Sequence, residues 1–152
     1  MNKLLFEKLT QRLKEKEIKY TTHNDVISFK MGVEDAGGAV SIFIYILDDS
    51  YVTYTSLGNK VTEKNYPTVS EYLHRANYGL LAGNFEIDYD DGEVRFKILT
   101  ECKNIAALTN KMIDKSIILP CLMFKKYGNG ILKLMIGVGN PKELIEEAET
   151  QK

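Results

Sequence analysis

Residues Phe85–Ile98 read FEIDYDDGEVRFKI, and this stretch decides the fold class. Apolar and charged residues alternate on both sides of Asp91-Gly92, a dipeptide whose residues both tolerate the positive φ of a type I′ turn. A two-residue loop there pairs Tyr89 with Val94, Ile87 with Phe96 and Phe85 with Ile98 on one face. On the other face it sets Asp88 opposite Arg95 and Glu86 opposite Lys97, opposite charges across the ladder. A slip of one residue would send every apolar side chain to the wrong face, so the two-sided pattern specifies the hairpin. The hairpin also accounts for the acidic cluster Asp88, Asp90, Asp91 and Glu93, with Asp90 and Glu93 a solvated like-charge pair beside the turn. A calcium loop with Gly92 at its sixth position would draw its first, third and twelfth ligands from Ile87, Tyr89 and Ile98, which cannot serve.

Three more strands precede the hairpin. Ile27, Phe29 and Met31 alternate with Ser28 and Lys30 over Val26–Met31, and Glu34–Gly38 carries turn residues. Val40–Leu47 (VSIFIYIL) follows, and Asp48-Asp49-Ser50 turns the chain into Tyr51–Ser56. Short turns between them predict an antiparallel meander. Leu5, Phe6, Leu9 and Leu13 recur at helical spacing over residues 3–16, with Asn2 placed as the N-cap. Thr68-Val69-Ser70-Glu71 has the form of a capping box, opening a helix that presents Val69, Tyr72, Leu73, Ala76 and Leu80 on one side. From Asn104 to about Ile136 the pattern is helical again, with Pro120 and Gly128–Gly130 expected as kinks or breaks. Asn140-Pro141 begins a last short helix. The whole predicts one α+β domain over residues 1–152: a five-stranded antiparallel sheet, meander plus hairpin, with N-terminal, central and C-terminal helices packed on it.

Composition narrows the function classes. A chain of 152 residues with 44% hydrophobic and 27% charged residues builds a core without metal or disulfide. Twenty Lys+Arg against 21 Asp+Glu leave a net charge of −1, so no basic excess draws nucleic acid. Charges begin at Lys3, and the longest apolar stretch, Ile117–Phe124, contains Pro120 and falls short of the roughly 20 residues a membrane span needs. The expectation is a cytoplasmic chain with no membrane partner and two reduced, isolated thiols, Cys102 and Cys121.

The helix ending Arg75-Ala76-Asn77-Tyr78-Gly79, then Gly83-Asn84-Phe85 and Asp91-Gly92-Glu93-Val94-Arg95, resembles the YbjN family of small bacterial proteins. Gly139-Asn140-Pro141 followed by Leu144, Ile145 and Ala148 resembles that family's tail, while residues 1–60 match by element order more than by residue. The resemblance implies a fold like that of the type III secretion chaperones. It also implies a regulator of sensory transduction with no established catalytic activity, and so no catalytic residues to carry across.

No chemistry-bearing motif competes with that expectation. His23 and His74 stand apart, with no zinc-ligand spacing around them; His23 beside Asn24-Asp25 reads as a turn residue. Gly137-Val138-Gly139 lacks the Walker spacing and reads as helix punctuation. No catalytic, cofactor or metal residues are assigned. Phe43, Tyr45, Tyr51 and Tyr54 offer rings for base stacking, but there is no accompanying basic–aromatic run. One feature does exceed an ordinary domain. If Val40, Ile42, Ile44 and Ile46 fill the core, then Phe43, Tyr45 and Leu47 project to the other side of the sheet, joined by Tyr54. A homodimer face, a groove for a protein partner, or cover by the chain's own terminal helices would each account for them. The expectation is a non-enzymatic interaction module, acting through this face or by strand addition at a sheet edge. The alternative is a small enzyme or ligand sensor whose site assembles only in three dimensions.

Overall fold

The Asn2 side chain accepts the Leu5 N–H at 3.1 Å and opens the first helix, α1, which spans Lys3–Glu15. The computed structural model describes residues 2–150. Four strands follow: β1 (Thr21–His23), β2 (Val26–Val33), β3 (Gly38–Ile46) and β4 (Ser50–Lys60). Then come α2 (Tyr66–Tyr78), the hairpin β5 (Asn84–Ile87) and β6 (Glu93–Glu101), and the helices α3 (Asn110–Met135) and α4 (Pro141–Thr150). The strands make one antiparallel sheet in the order β1-β2-β3-β4-β6-β5. The α+β class stands as expected, but the sheet has six strands, not five. The added strand is Thr21–His23, three exposed residues with no apolar alternation to announce them. His23 therefore ends a strand opposite Val26, and Asn24, at φ 51°, makes the turn.

The hairpin is offset by two residues from the expected pairing. Phe85 faces Phe96, Glu86 faces Arg95 and Ile87 faces Val94. The loop is Tyr89–Gly92, closed by the Asp88 N–H donating to the Glu93 carbonyl at 2.9 Å. Contacts outside the hairpin select this longer loop. Tyr89 stacks on Tyr66 with ring centroids 5.1 Å apart, and its hydroxyl lies 2.6 Å from the Ser70 hydroxyl. Asp91 pairs with Lys60, and the Gly92 carbonyl accepts the Val61 N–H at 2.9 Å. Gly92 takes φ 77°, and a Cβ there would lie 2.2 Å from the Val61 carbonyl oxygen. Because the offset is even, each side chain keeps its expected face.

The helices differ from expectation in three places. α3 starts at Asn110 behind the cap Thr109, after a separate 3-10 turn at Ile105–Ala107, and not at Asn104. α2 starts at Tyr66, with Pro67 in its first turn, so Thr68 lies inside the helix and donates its hydroxyl to the Asn65 carbonyl. Glu71 pairs with Arg75 one turn on instead of closing a capping box, and Leu80 lies past the helix end. α3 runs unbroken through Pro120, Gly128 and Gly130. Its glycines serve close approach. A Cβ on Gly128 would lie 3.0 Å from the Asp35 carbonyl, and one on Gly130 would lie 2.3 Å from the Tyr72 hydroxyl. That hydroxyl donates to the Tyr127 carbonyl at 3.0 Å, tying α2 to α3. α4 begins as expected, with the Asn140 side chain accepting the Lys142 N–H at 2.9 Å.

One side of the sheet holds the core. Ile27, Ile42, Ile44, Tyr51, Val94 and Phe96 are buried there with Leu5, Leu9, Tyr72, Ile113 and Phe124 from the helices. Arg12 of α1 clasps Asp114 of α3 through two bonds of 2.8 and 2.5 Å.

Candidate interaction face

Side chains on the helix-free side of the sheet line up in rows across the strands. Val26, Tyr45, Val52 and Leu99 form one row; Ser28, Phe43, Tyr54, Lys97 and Asn84 the next; Lys30, Ser41, Ser56, Arg95 and Glu86 the third. The face thus grades from apolar to charged over four residues of strand, about 13 Å. Tyr45 is 44% exposed, Leu47 48% and Leu99 55%. Phe43 and Tyr54 are half-buried. A groove of about 550 Å³ runs between Phe43, Tyr45, Leu47, Val52, Tyr54 and Arg95.

The structure therefore brings Phe43, Tyr45, Leu47 and Tyr54 onto one surface. Val52 and Leu99, absent from the expected set, extend it. The signal for both was strand alternation, since Val52 lies two residues before Tyr54 and Leu99 two after Lys97. Tyr45 meets Tyr54 edge-on at 5.4 Å, and the Arg95 guanidinium sits 4.3 Å over the Tyr54 ring. Arg95 also donates to Glu86 at 2.9 Å, and Lys97 bonds the other Glu86 oxygen. Burial works to raise the Glu86 carboxyl, but its bonds from Lys97, Arg95 and Asn84 outweigh it and hold the group below the usual range. Arg95 and Lys97 are thereby engaged within the face, whereas the exposed Lys30 at the β2 end of the third row forms no ion pair among the described residues.

Other groups of chemical interest lie elsewhere. His23 is on the β1 edge and His74 on the exposed side of α2. Among the described residues no group of three or more His, Cys, Asp or Glu converges. Both thiols are free. Burial pushes Cys121 up to about 11 and raises Cys102 as well, the opposite of the depression that makes a thiolate nucleophile. Gly137 and Gly139, both at positive φ, lie in the connection between α3 and α4. Among the described residues no helix is long and apolar enough to cross a membrane.

No family model matches the chain, and no curated protein sequence matches it. The order of elements and the single open sheet do find a counterpart among solved structures. The fold is similar to that of YbjN. The structure "Crystal structure of YbjN, a putative transcription regulator from E. coli" aligns at a TM-score of 0.60 and 10% identity, covering 82% of this chain and 92% of that one. At this identity the likeness is one of fold. The YbjN-like architecture expected from Arg75–Gly79 and Gly83–Phe85 is met at that level.

Proposed function

We propose that this chain is a non-enzymatic interaction module, a YbjN-like regulator or chaperone-like adaptor. It binds a polypeptide partner, or a second copy of itself, through the open face of its sheet. One observation carries the reading: the row Val26, Tyr45, Val52 and Leu99, with Leu47 beside it, lies on a face that none of the four α-helices among the described residues covers. Removing such side chains from water on association is worth about 25 cal/mol per Å² of apolar surface before the cost of ordering. The charged end fixes orientation, because two cations share the single Glu86 carboxylate and leave that end net positive, which disfavours any pose that sets a further cation against it. Engagement of Arg95 and Lys97 by Glu86 favours a protein over a nucleic-acid partner, since phosphate would compete for cations already held.

The test is size-exclusion chromatography with light scattering on wild type and Tyr45→Glu over a range of concentrations. The expected result is a wild-type dimer that becomes a folded monomer in the variant. Association unaltered by Tyr45→Glu and by Leu99→Glu removes the face from the reading. A wild type that is monomeric throughout leaves the partner, not a second copy, as the ligand of this face.

A further inference from the structure

The hairpin strands are unequal, β6 having nine residues and β5 four. β5 begins at Asn84, opposite Lys97, so Ile98–Glu101 have no neighbour on that side. Two hydrogen bonds fix which backbone groups point there. The Glu93 carbonyl accepts from Asp88 in the β5–β6 connection, and the Cys102 N–H donates at 2.8 Å to the Asp49 carbonyl ahead of β4. Bonded pairs recur at every second residue of an antiparallel ladder. Both bonds therefore aim the odd-numbered residues of β6 toward β5 and the even-numbered ones toward β4. The N–H and C=O of Leu99 and Glu101 thus face the side that β5 does not reach, and no protein group among the described residues bonds them.

The chain itself vacates this position. Gly83, at φ 71°, turns residues 80–82 away from the ladder, and a Cβ there would lie 2.8 Å from the Lys97 carbonyl. What remains is a groove of about 600 Å³, walled by Ala82 on one side and by Met112 and Lys115 of α3 on the other. β5's own outer edge is closed at Phe85 by contrast: the Asn77 side chain accepts the Phe85 N–H at 2.7 Å and donates to its carbonyl at 2.9 Å.

We propose that the Leu99–Glu101 edge of β6 accepts an extended peptide segment of alternating apolar and acidic residues as an added strand. Four free backbone groups set the occupant's conformation, and four residues of edge give it a length of about 13 Å. Alternation places successive side chains on opposite faces. One set lies beside the exposed Leu99; the other points toward α3, where Lys115 is exposed and forms no ion pair among the described residues. The acidic residues complement that lysine. This edge shares Leu99 with the aromatic face but offers main-chain groups instead of side chains, so it does not require Tyr45.

The experiment titrates the protein with fluorescein-labelled acetyl-Val-Glu-Val-Glu-Val-Glu-amide, read by fluorescence anisotropy and by amide shifts in ¹⁵N spectra. Saturable binding is expected, with Kd on the order of 1 mM or tighter. The largest shifts should fall at Leu99 and Glu101, and Tyr45→Glu should bind like wild type. Glu101→Pro removes an N–H that bonds nothing in the folded chain, so the variant folds and binds at least about fivefold more weakly. Lys115→Glu, on the helix surface, should prefer the peptide with Lys in place of Glu. The proposal is overturned by an absence of saturable binding, by undiminished affinity in Glu101→Pro, or by shifts confined to Thr21–His23 or to Phe43 and Tyr45. Concentration-dependent shifts of Leu99 and Glu101 without peptide would also overturn it, assigning the edge to a second copy.

Discussion

Thr53 and Thr55 point into the core from β4, both fully buried, and their hydroxyls have no hydrogen-bond partner among the described residues. Thr53 lies between Ile44 and Ile98, and Thr55 between Ile42 and Phe96, in rows that are otherwise apolar. A buried hydroxyl without a partner costs about 1–3 kcal/mol, whereas valine keeps the β-branched shape and exchanges the oxygen for a methyl. Thr53→Val and Thr55→Val should therefore each stabilise the fold by about 1–2 kcal/mol. For a domain of this size that is a rise in Tm of roughly 2–4 °C per kcal/mol. The assay is urea unfolding followed by circular dichroism, comparing wild type, each valine variant and the pair. The midpoint should rise while the slope with urea stays constant, the mark of changed stability without a changed unfolded state. Thr55→Ser supplies the control of opposite sign, losing a buried methyl worth about 0.8 kcal/mol and keeping the hydroxyl. Valine variants no more stable than wild type would refute the reasoning, because the hydroxyls would then be doing useful bonding.

Gly130→Ala should destabilise by about 2 kcal/mol or more, and more than Gly128→Ala, because its methyl would meet the Tyr72 hydroxyl and ring where Gly128 crowds only Asp35 and Ala36; thermal melts of the two variants rank them. Asn77→Ala removes both bonds to Phe85, so it should cost about 1–2 kcal/mol. It should also raise light scattering on warming by opening the β5 edge. The Arg12 guanidinium, bonding both Asp114 oxygens, holds that carboxyl below its usual range. A lowered folded-state pKa gives stability that is present above about pH 4 and lost as pH falls through the folded value. Asp114→Asn should therefore be less stable at neutral pH and lose less on acidification, measured as urea midpoints from pH 7 to about pH 2.

Most of the architecture was readable wherever a pattern repeated. β2 and β6 show their alternation directly, β3 reads as a long apolar run, and Asn2 and Asn140 cap the helices they were expected to cap. What escaped depends on contacts distant in the chain. β1 is short and exposed, held only by pairing with β2. Gly128 and Gly130 look like helix breakers until Ala36 and Tyr72 are seen against them. α2 begins two residues before the Thr68-Val69-Ser70-Glu71 signal. Asn65 just ahead of it is engaged elsewhere, its amide donating to the Met135 carbonyl at 2.8 Å at the far end of α3.

The hairpin shows why the candidate face could be read even though its pairing could not. Local sequence favours the tight Asp91-Gly92 turn, but Tyr66, Ser70, Lys60 and Val61 all draw the loop outward. The ladder answers with a shift of two, the smallest that keeps Phe85, Val94 and Phe96 in the core. Facedness is set by parity and survives such a shift, so Tyr45, Tyr54 and Arg95 point where alternation says they must. Adjacency is set by register and does not survive. Glu86 therefore faces Arg95 and holds Lys97 diagonally, and the ladder reaches only to Lys97. Had the tight turn prevailed, Phe85 would have paired with Ile98 and Asn84 with Leu99, so the pairing would have run two residues further along β6. Glu101 lies beyond β5 in either register, but the same outward pull on Tyr89–Gly92 that fixes the register is what leaves Leu99 with backbone groups to offer beside it.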